Sequence, residues 1–245
     1  MKITSEQIDK YFETNNNANE LRFTIEKIEE ENAFKNCRNR KIRTLCLKSN
    51  RNRDGNQETT FNEKHSSLFE PLKEHLETLD LECSWNCDFN FLKDLKHLQT
   101  LILTNNVFLN GAQPVFKEAN NCLTYLYLDD CKLKISDKTI FNDLKYLRTL
   151  DLTKVELHDQ VLPDLFKELK QLHTLTMNGT RFKPTEDAFI HLKKLRELHI
   201  VGIEIPKECS NIFVPLKSLE KLEMGETQTF NYDAFKQLKN LHRLK

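Results

Sequence analysis

Glycine is scarce, with five residues in a chain of 245. That leaves no Gly-rich loop of the kind that cradles phosphate through backbone N–H groups. No segment approaches the roughly 18 consecutive apolar residues of a membrane-spanning helix. The first residues, MKITSEQIDKYFETNNN, also lack the apolar stretch of a signal peptide. There is no excess of either charge: Lys+Arg and Asp+Glu both number 37. A balanced chain lacks the basic surplus that drives general binding to nucleic acid or to a membrane surface, so nucleic acid and membrane are disfavoured and only local patches remain. The seven cysteines (Cys37, Cys46, Cys83, Cys87, Cys122, Cys131 and Cys209) are odd in number and scattered, which fits reduced thiols better than a disulfide framework. Cys83 and Cys87 have no second pair at zinc-site spacing, so no metal and no cofactor is expected. The sequon Asn178-Gly179-Thr180 reads as chance in a chain without a secretion signal, and the expected location is cytoplasmic.

What the chain does contain is a repeat. The pattern L-x-x-L-x-L begins at Ile42, Leu76, Leu98, Leu123, Leu147, Leu172, Leu195 and Leu219, and an incomplete copy begins at Leu241. After a first gap from 42 to 76, successive starts are 22 to 25 residues apart. In the short strand at the centre of each copy, alternate side chains point to opposite faces. Both leucines therefore enter a core while the residue between them faces out. A second signal precedes the strand in the later copies: Phe141/Leu144, Phe166/Leu169, Phe189/Leu192, Phe213/Leu216 and Phe235/Leu238. These rings would stack behind the sheet. Leu92 and Leu95 fill the same places in the third copy, whereas the fourth has Lys117 and Asn120 there. A buried leucine contributes about 1.5–3 kcal/mol, so one coil holds only when its neighbours cover it.

On these residues the chain resembles the leucine-rich-repeat family, in its variety of about 24 residues per repeat with a phenylalanine spine. The resemblance covers residues 42–245. It implies an α/β fold, a right-handed horseshoe solenoid with a parallel sheet on its concave face. The family's ladder asparagine would fall at Asn50 and Asn106; Ser84 also holds that place, and Cys131, Thr180 and Thr227 resemble accepted ladder residues. Val155 and Ile203 depart from that pattern.

Residues 1–41 read as an N-terminal helix plus a degenerate capping repeat. Thr4 and Gln7 resemble a capping box opening a helix through about Phe12, and Leu21, Phe23 and Ile25 alternate as a strand does. That strand is expected to begin near Glu20, 22 residues before Ile42. The polar insertion at 49–67, with Asp54-Gly55 as a turn signal, is expected to be a loop. The array stops inside a strand motif at Leu244-Lys245, which predicts an open C-terminal edge covered by a missing segment or by another chain.

The default binding surface of such an array is its concave strand face. The central outward positions are Cys46, Asp80, Ile102, Tyr127, Asp151, Thr176, His199 and Glu223. The neighbouring column, including Thr44, Thr78, Thr100, Thr149 and Thr174, is read as structural, since threonine is a natural strand former. Tyr125, Tyr127, Asp129, Asp130 and Asp151 form an aromatic and acidic group, with Asp80 and Glu82 nearby and His199 farther along. Exposed tyrosines are common interface anchors, and carboxylates around them select a basic protein partner. Ordinary solvated strand residues are the alternative. Asp151, Thr176 and His199 share one column, but two strand spacings separate the acid from the base, so no catalytic residue is assigned. A lysine two places before each aligned leucine (Lys96, Lys145, Lys170, Lys193, Lys217, Lys239) forms a stripe. It is either a solubilising edge, diluted by Asp94, Asp143 and Glu168, or a line that an acidic partner or nucleic acid could use. The expected function is thus a non-enzymatic protein–protein interaction module, an adaptor or scaffold. A structural subunit of a larger assembly and a fragment of a larger recognition receptor are the alternatives.

Overall fold

The alternation of buried and exposed side chains in each L-x-L segment is realised as a parallel ladder in the computed structural model. The structure describes residues 2–25, 27–49, 60–82, 84–86, 89–108, 116, 122–158, 161–225 and 235–245. Asn50, Lys117, Asn120, Thr227, Cys83 and Cys87 lie outside these residues, as does most of the insertion. The chain forms two compact units, Met1–Leu123 and Thr124–Lys245.

In the first unit the strands Glu20–Ile25, Thr44–Ser49, Thr78–Glu82 and Thr100–Ile102 pair in parallel in chain order. In the second, Tyr125–Tyr127, Thr149–Asp151, Thr174–Thr176, Glu197–Ile200, Lys221–Met224 and Arg243–Leu244 do the same. Equivalent leucines are register partners throughout, as in Leu150↔Leu175 and Leu198↔Leu222, and their side chains are fully buried. This is the leucine-rich-repeat solenoid architecture that the repeat implies.

The helix Ser5–Thr14 opens on Thr4, whose hydroxyl accepts from the Gln7 N–H at 3.2 Å, and it buries Ile8 and Phe12. The following strand starts at Glu20, but its register pairs Leu21 with Leu45. The place equivalent to Ile42 is therefore Ala18, a step of 24 rather than the expected 22. Its neighbour Asn19 supplies the carbonyl that accepts the Arg43 and Thr44 N–H groups. Part of the expected polar loop is ordered as well. Thr60–Asn62 is a strand paired with Ser84–Asn86, and Glu63–Leu72 is a 3₁₀ helix. Phe61 explains the difference, because its buried ring sits 5.7 Å from His65 and 6.2 Å from Phe69.

The phenylalanine spine is continuous in kind but shifts its phase. Phe141, Phe166, Phe189 and Phe213 are buried six places before the aligned leucine, as at 166 and 172. In the first unit the rings Phe69, Phe91 and Phe116 come seven places before, as at 69 and 76. Phe69 and Phe91 stack at 4.3 Å, and Leu92 and Leu95 are buried beside them. A pattern tuned to one spacing passes over the other.

The turns after the strands also repeat. Asn105, Asp130, Lys154, Gly179 and Gly202 occupy the same place, and every one has a left-handed φ between 53° and 77°. The ladder position one residue on is buried in these five coils, as Asn106, Cys131, Val155, Thr180 and Ile203. Asn106 donates to the Leu81 carbonyl at 2.8 Å, and the Thr180 hydroxyl donates to the Leu152 carbonyl at 2.6 Å, each reaching the preceding coil. Val155 and Ile203 do not disturb the turn. Their N–H groups donate to Leu152 and Ile200, as that of Thr180 donates to Met177. Burial of the aliphatic side chain replaces the missing polar bond. Thr180 therefore has an interior structural role, and Asn178 accepts from the Val201 N–H at 2.8 Å, so both polar residues of the sequon serve the turn.

Candidate binding faces

On the solvent side of the first unit, Arg22, Cys46 and Asp80 are register partners on three successive strands. The Cys46 thiol donates to Asp80 Oδ2 at 2.7 Å, and Arg22 Nη1 approaches the sulfur at 3.4 Å. Arg22 also binds Glu20. Cys46 faces outward by strand alternation, yet it is only 2% exposed because these two neighbours cover it. Burial, followed by the bond to Asp80 and its charge, pushes the thiol up to about 12. Asp80, expected in the binding group, already accepts a bond from within its own unit.

In the second unit, Tyr125 and Tyr127 flank the buried Leu126 on one strand, opposite Thr149 and Asp151. Tyr125 is 40% exposed. The hydroxyl of Tyr127 is held above its usual range by burial first, then by Tyr125 and Asp151. The Asp129 carboxyl is also raised, by burial first and next by the negative charge of Asp151. Asp151 accepts the Thr153 N–H at 2.8 Å. Among the described residues no cation forms an ion pair with Asp129 or Asp151. Asp130 differs from them: it holds the left-handed turn place and pairs with Lys154 at 3.3 Å. Tyr125, Tyr127, Asp129 and Asp151 thus gather at two adjacent strands, with Asp130 tied into the turn beside them.

His199 lies three strands away from the tyrosines in the same column as Tyr127, Asp151 and Thr176. Its Nδ1 is 2.5 Å from Glu223 Oε2, and its Nε2 is 3.5 Å from Glu197. Lys221 and Lys245 approach Glu223 at 3.6 and 3.3 Å. His199 holds Glu223 down to about 2, opposed by burial and aided by Lys245. The Asp151–Thr176–His199 row therefore exists in register without being wired as a relay, because the carboxylate on the imidazole is Glu223. Sequence reasoning placed Glu223 in the column without recognising it as the partner of His199. A register pairing one coil onward was the available signal.

With this geometry in view, comparison with solved structures agrees on the fold. The chain is similar to TLR13 in a TLR13–ssRNA13 complex, with 21% identity over 91% of this chain and 35% of that one, at a TM-score of 0.60. It is similar to Toll in the Toll–Spatzle complex of Drosophila, with 13% identity over 93% and 36%, also at 0.60. Internalin C2 from Listeria monocytogenes aligns over 62% of this chain and 63% of that one, with 19% identity and a TM-score of 0.46. The chain spans about a third of the length of the two receptors and under two thirds of the internalin. No protein-family model and no curated protein matches it. The fold is that of leucine-rich-repeat proteins.

Proposed function

We propose that this chain is a non-enzymatic interaction module, an adaptor or scaffold of the cytoplasm, that binds a basic protein segment on the strand face around Tyr125, Tyr127, Asp129 and Asp151. The observation that carries this reading is the pairing of an exposed tyrosine with two carboxylates that form no ion pair with a cation among the described residues. A partner lysine or arginine would supply the missing charge, and the aromatic rings would supply contact area at low entropic cost. The Thr149, Thr174 and Thr176 side chains next along the face are uncharged and half-buried, leaving room for an extended segment. Asp80 and His199, each bonded within its own unit, act as flanking groups rather than anchors.

In a second reading, the same face belongs to a portion of a larger recognition receptor. One experiment addresses the face in either context. Peptides selected on the purified chain from a random display library should be enriched in Lys and Arg. The triple variant Tyr125→Ala/Tyr127→Ala/Asp151→Ala should lose them by tenfold or more while keeping the wild-type circular dichroism spectrum. Equal capture by the variant, or selection of acidic peptides, would place the function elsewhere.

A further inference from the structure

The balanced overall charge is not spread evenly. In the second unit Lys145, Lys170, Lys193, Lys217 and Lys239 are all exposed. They stand three places before Arg148, His173, Arg196, Glu220 and His242, which are linked coil to coil by backbone bonds of 2.8 to 3.1 Å. The lysine turns are locked in line as well. Ser218 Oγ donates to the Lys193 carbonyl at 3.0 Å, and Asn240 Nδ2 donates to that of Lys217 at 2.9 Å. Among the described residues none of these five lysines forms an ion pair.

The acidic neighbours do not persist along the edge. The place two before each lysine holds Asp143, Glu168, His191, Pro215 and Gln237 in turn, so dilution by carboxylates stops after Lys170. His191 responds to the resulting field. Burial lowers its pKa first, Lys170 lowers it further, and Lys167 and Lys193 add to this against Asp164. Beside the lysines is an open cavity of about 290 Å³ lined by His173, Lys194, Arg196, Ser218, Glu220 and Asn240. Its one carboxylate, Glu220, is answered by Arg196 at 3.7 Å. At the other end of the edge, Tyr146 stands between Lys145 and Arg148 with 57% of its surface exposed.

We infer that this edge binds the phosphate backbone of a single-stranded nucleic acid, without sequence selectivity, and that Tyr146 stacks on a base. The lysine column and the cavity lining contain no apolar side chain to form the centre of a protein interface. A polyphosphate needs only a line of cations, and an exposed aromatic among cations is the usual platform for unpaired bases. This surface uses side chains other than Tyr125, Tyr127, Asp129 and Asp151, so the two readings are tested on different residues.

The test is fluorescence anisotropy of the full chain with a labelled twelve-nucleotide oligouridylate. Contact by about four cations gives a salt slope near −2.8, so raising the salt from about 50 to about 200 mM should weaken binding by roughly 50-fold. The variant Lys193→Gln/Lys194→Gln/Lys217→Gln/Lys239→Gln should bind at least tenfold more weakly with a flatter slope. Tyr146→Ala should weaken binding about fivefold or more and leave the slope unchanged. Lys134→Gln/Lys138→Gln, which alters lysines already paired with Glu156 and Asp164, should match wild type. No binding at the lower salt, an unchanged quadruple variant with a native spectrum, or tighter binding of a labelled oligoglutamate would overturn the inference.

Discussion

His199 and Glu223 occupy the same register position on adjacent strands, and their side chains meet at 2.5 Å between Nδ1 and Oε2. This contact joins residues 24 apart in the chain.

Glu223 has a folded value of about 2 against an ordinary 4.5. A depressed carboxyl stabilises the folded state fully above the unfolded value, and that contribution is lost as pH falls through the folded one. Wild type should therefore lose stability between about pH 4.5 and about pH 2 more steeply than Glu223→Gln. The difference should be about 1–2 kcal/mol once screening by water is allowed for. Urea unfolding at a series of pH values reads it directly, and parallel curves would show that the contact adds nothing.

The left-handed turn place makes opposite predictions at two neighbouring coils. Gly179 has φ +61°, and a Cβ there would meet only Lys154 Cγ at 3.7 Å, so substitution meets backbone strain rather than a clash. Gly179→Ala should cost about 1–2 kcal/mol. Lys154 pays the same strain at φ 59°. Lys154→Gly should therefore stabilise by a fraction of that amount, since added chain flexibility offsets part of the gain. Denaturant midpoints that move in the same direction for both would contradict this account.

The thiols should fall into two classes. Cys122 is exposed, while Cys37, Cys46, Cys131 and Cys209 are buried. Burial also pushes Cys37 and Cys46 up to about 12, so neither supplies thiolate near neutrality. In a Cys83→Ser/Cys87→Ser background, an aromatic disulfide reagent at about pH 8 should modify Cys122 rapidly and the other four only on unfolding. Rapid labelling of Cys46, located by peptide mass, would mean that Arg22 and Asp80 do not seal it.

The coils were legible because their signal is local and repeated. Leucines two places apart report strand alternation, and the step of 22 to 25 residues reports the stacking. The spine was legible only where its spacing was constant. Phe69, Phe91 and Phe116 were missed because their turns are one residue longer, which a fixed template does not see. Phe61 was missed because a single aromatic in a polar segment carries no period, although its burial orders the residues around it.

The candidate faces divide in the same way. Tyr125, Tyr127, Asp129 and Asp151 come together because they sit at strand positions that alternation already assigns to the outside. Cys46 was assigned outward by the same rule, yet Arg22 and Asp80 bury it.

Composition and periodicity alone therefore established the repeating coil, its leucine core and the outward columns, because each follows from chain geometry within a few residues. Tertiary packing decided which carboxylate meets His199 and that Cys46 is sealed. Those outcomes depend on side chains one coil away, brought to bonding distance by a register that no local window contains.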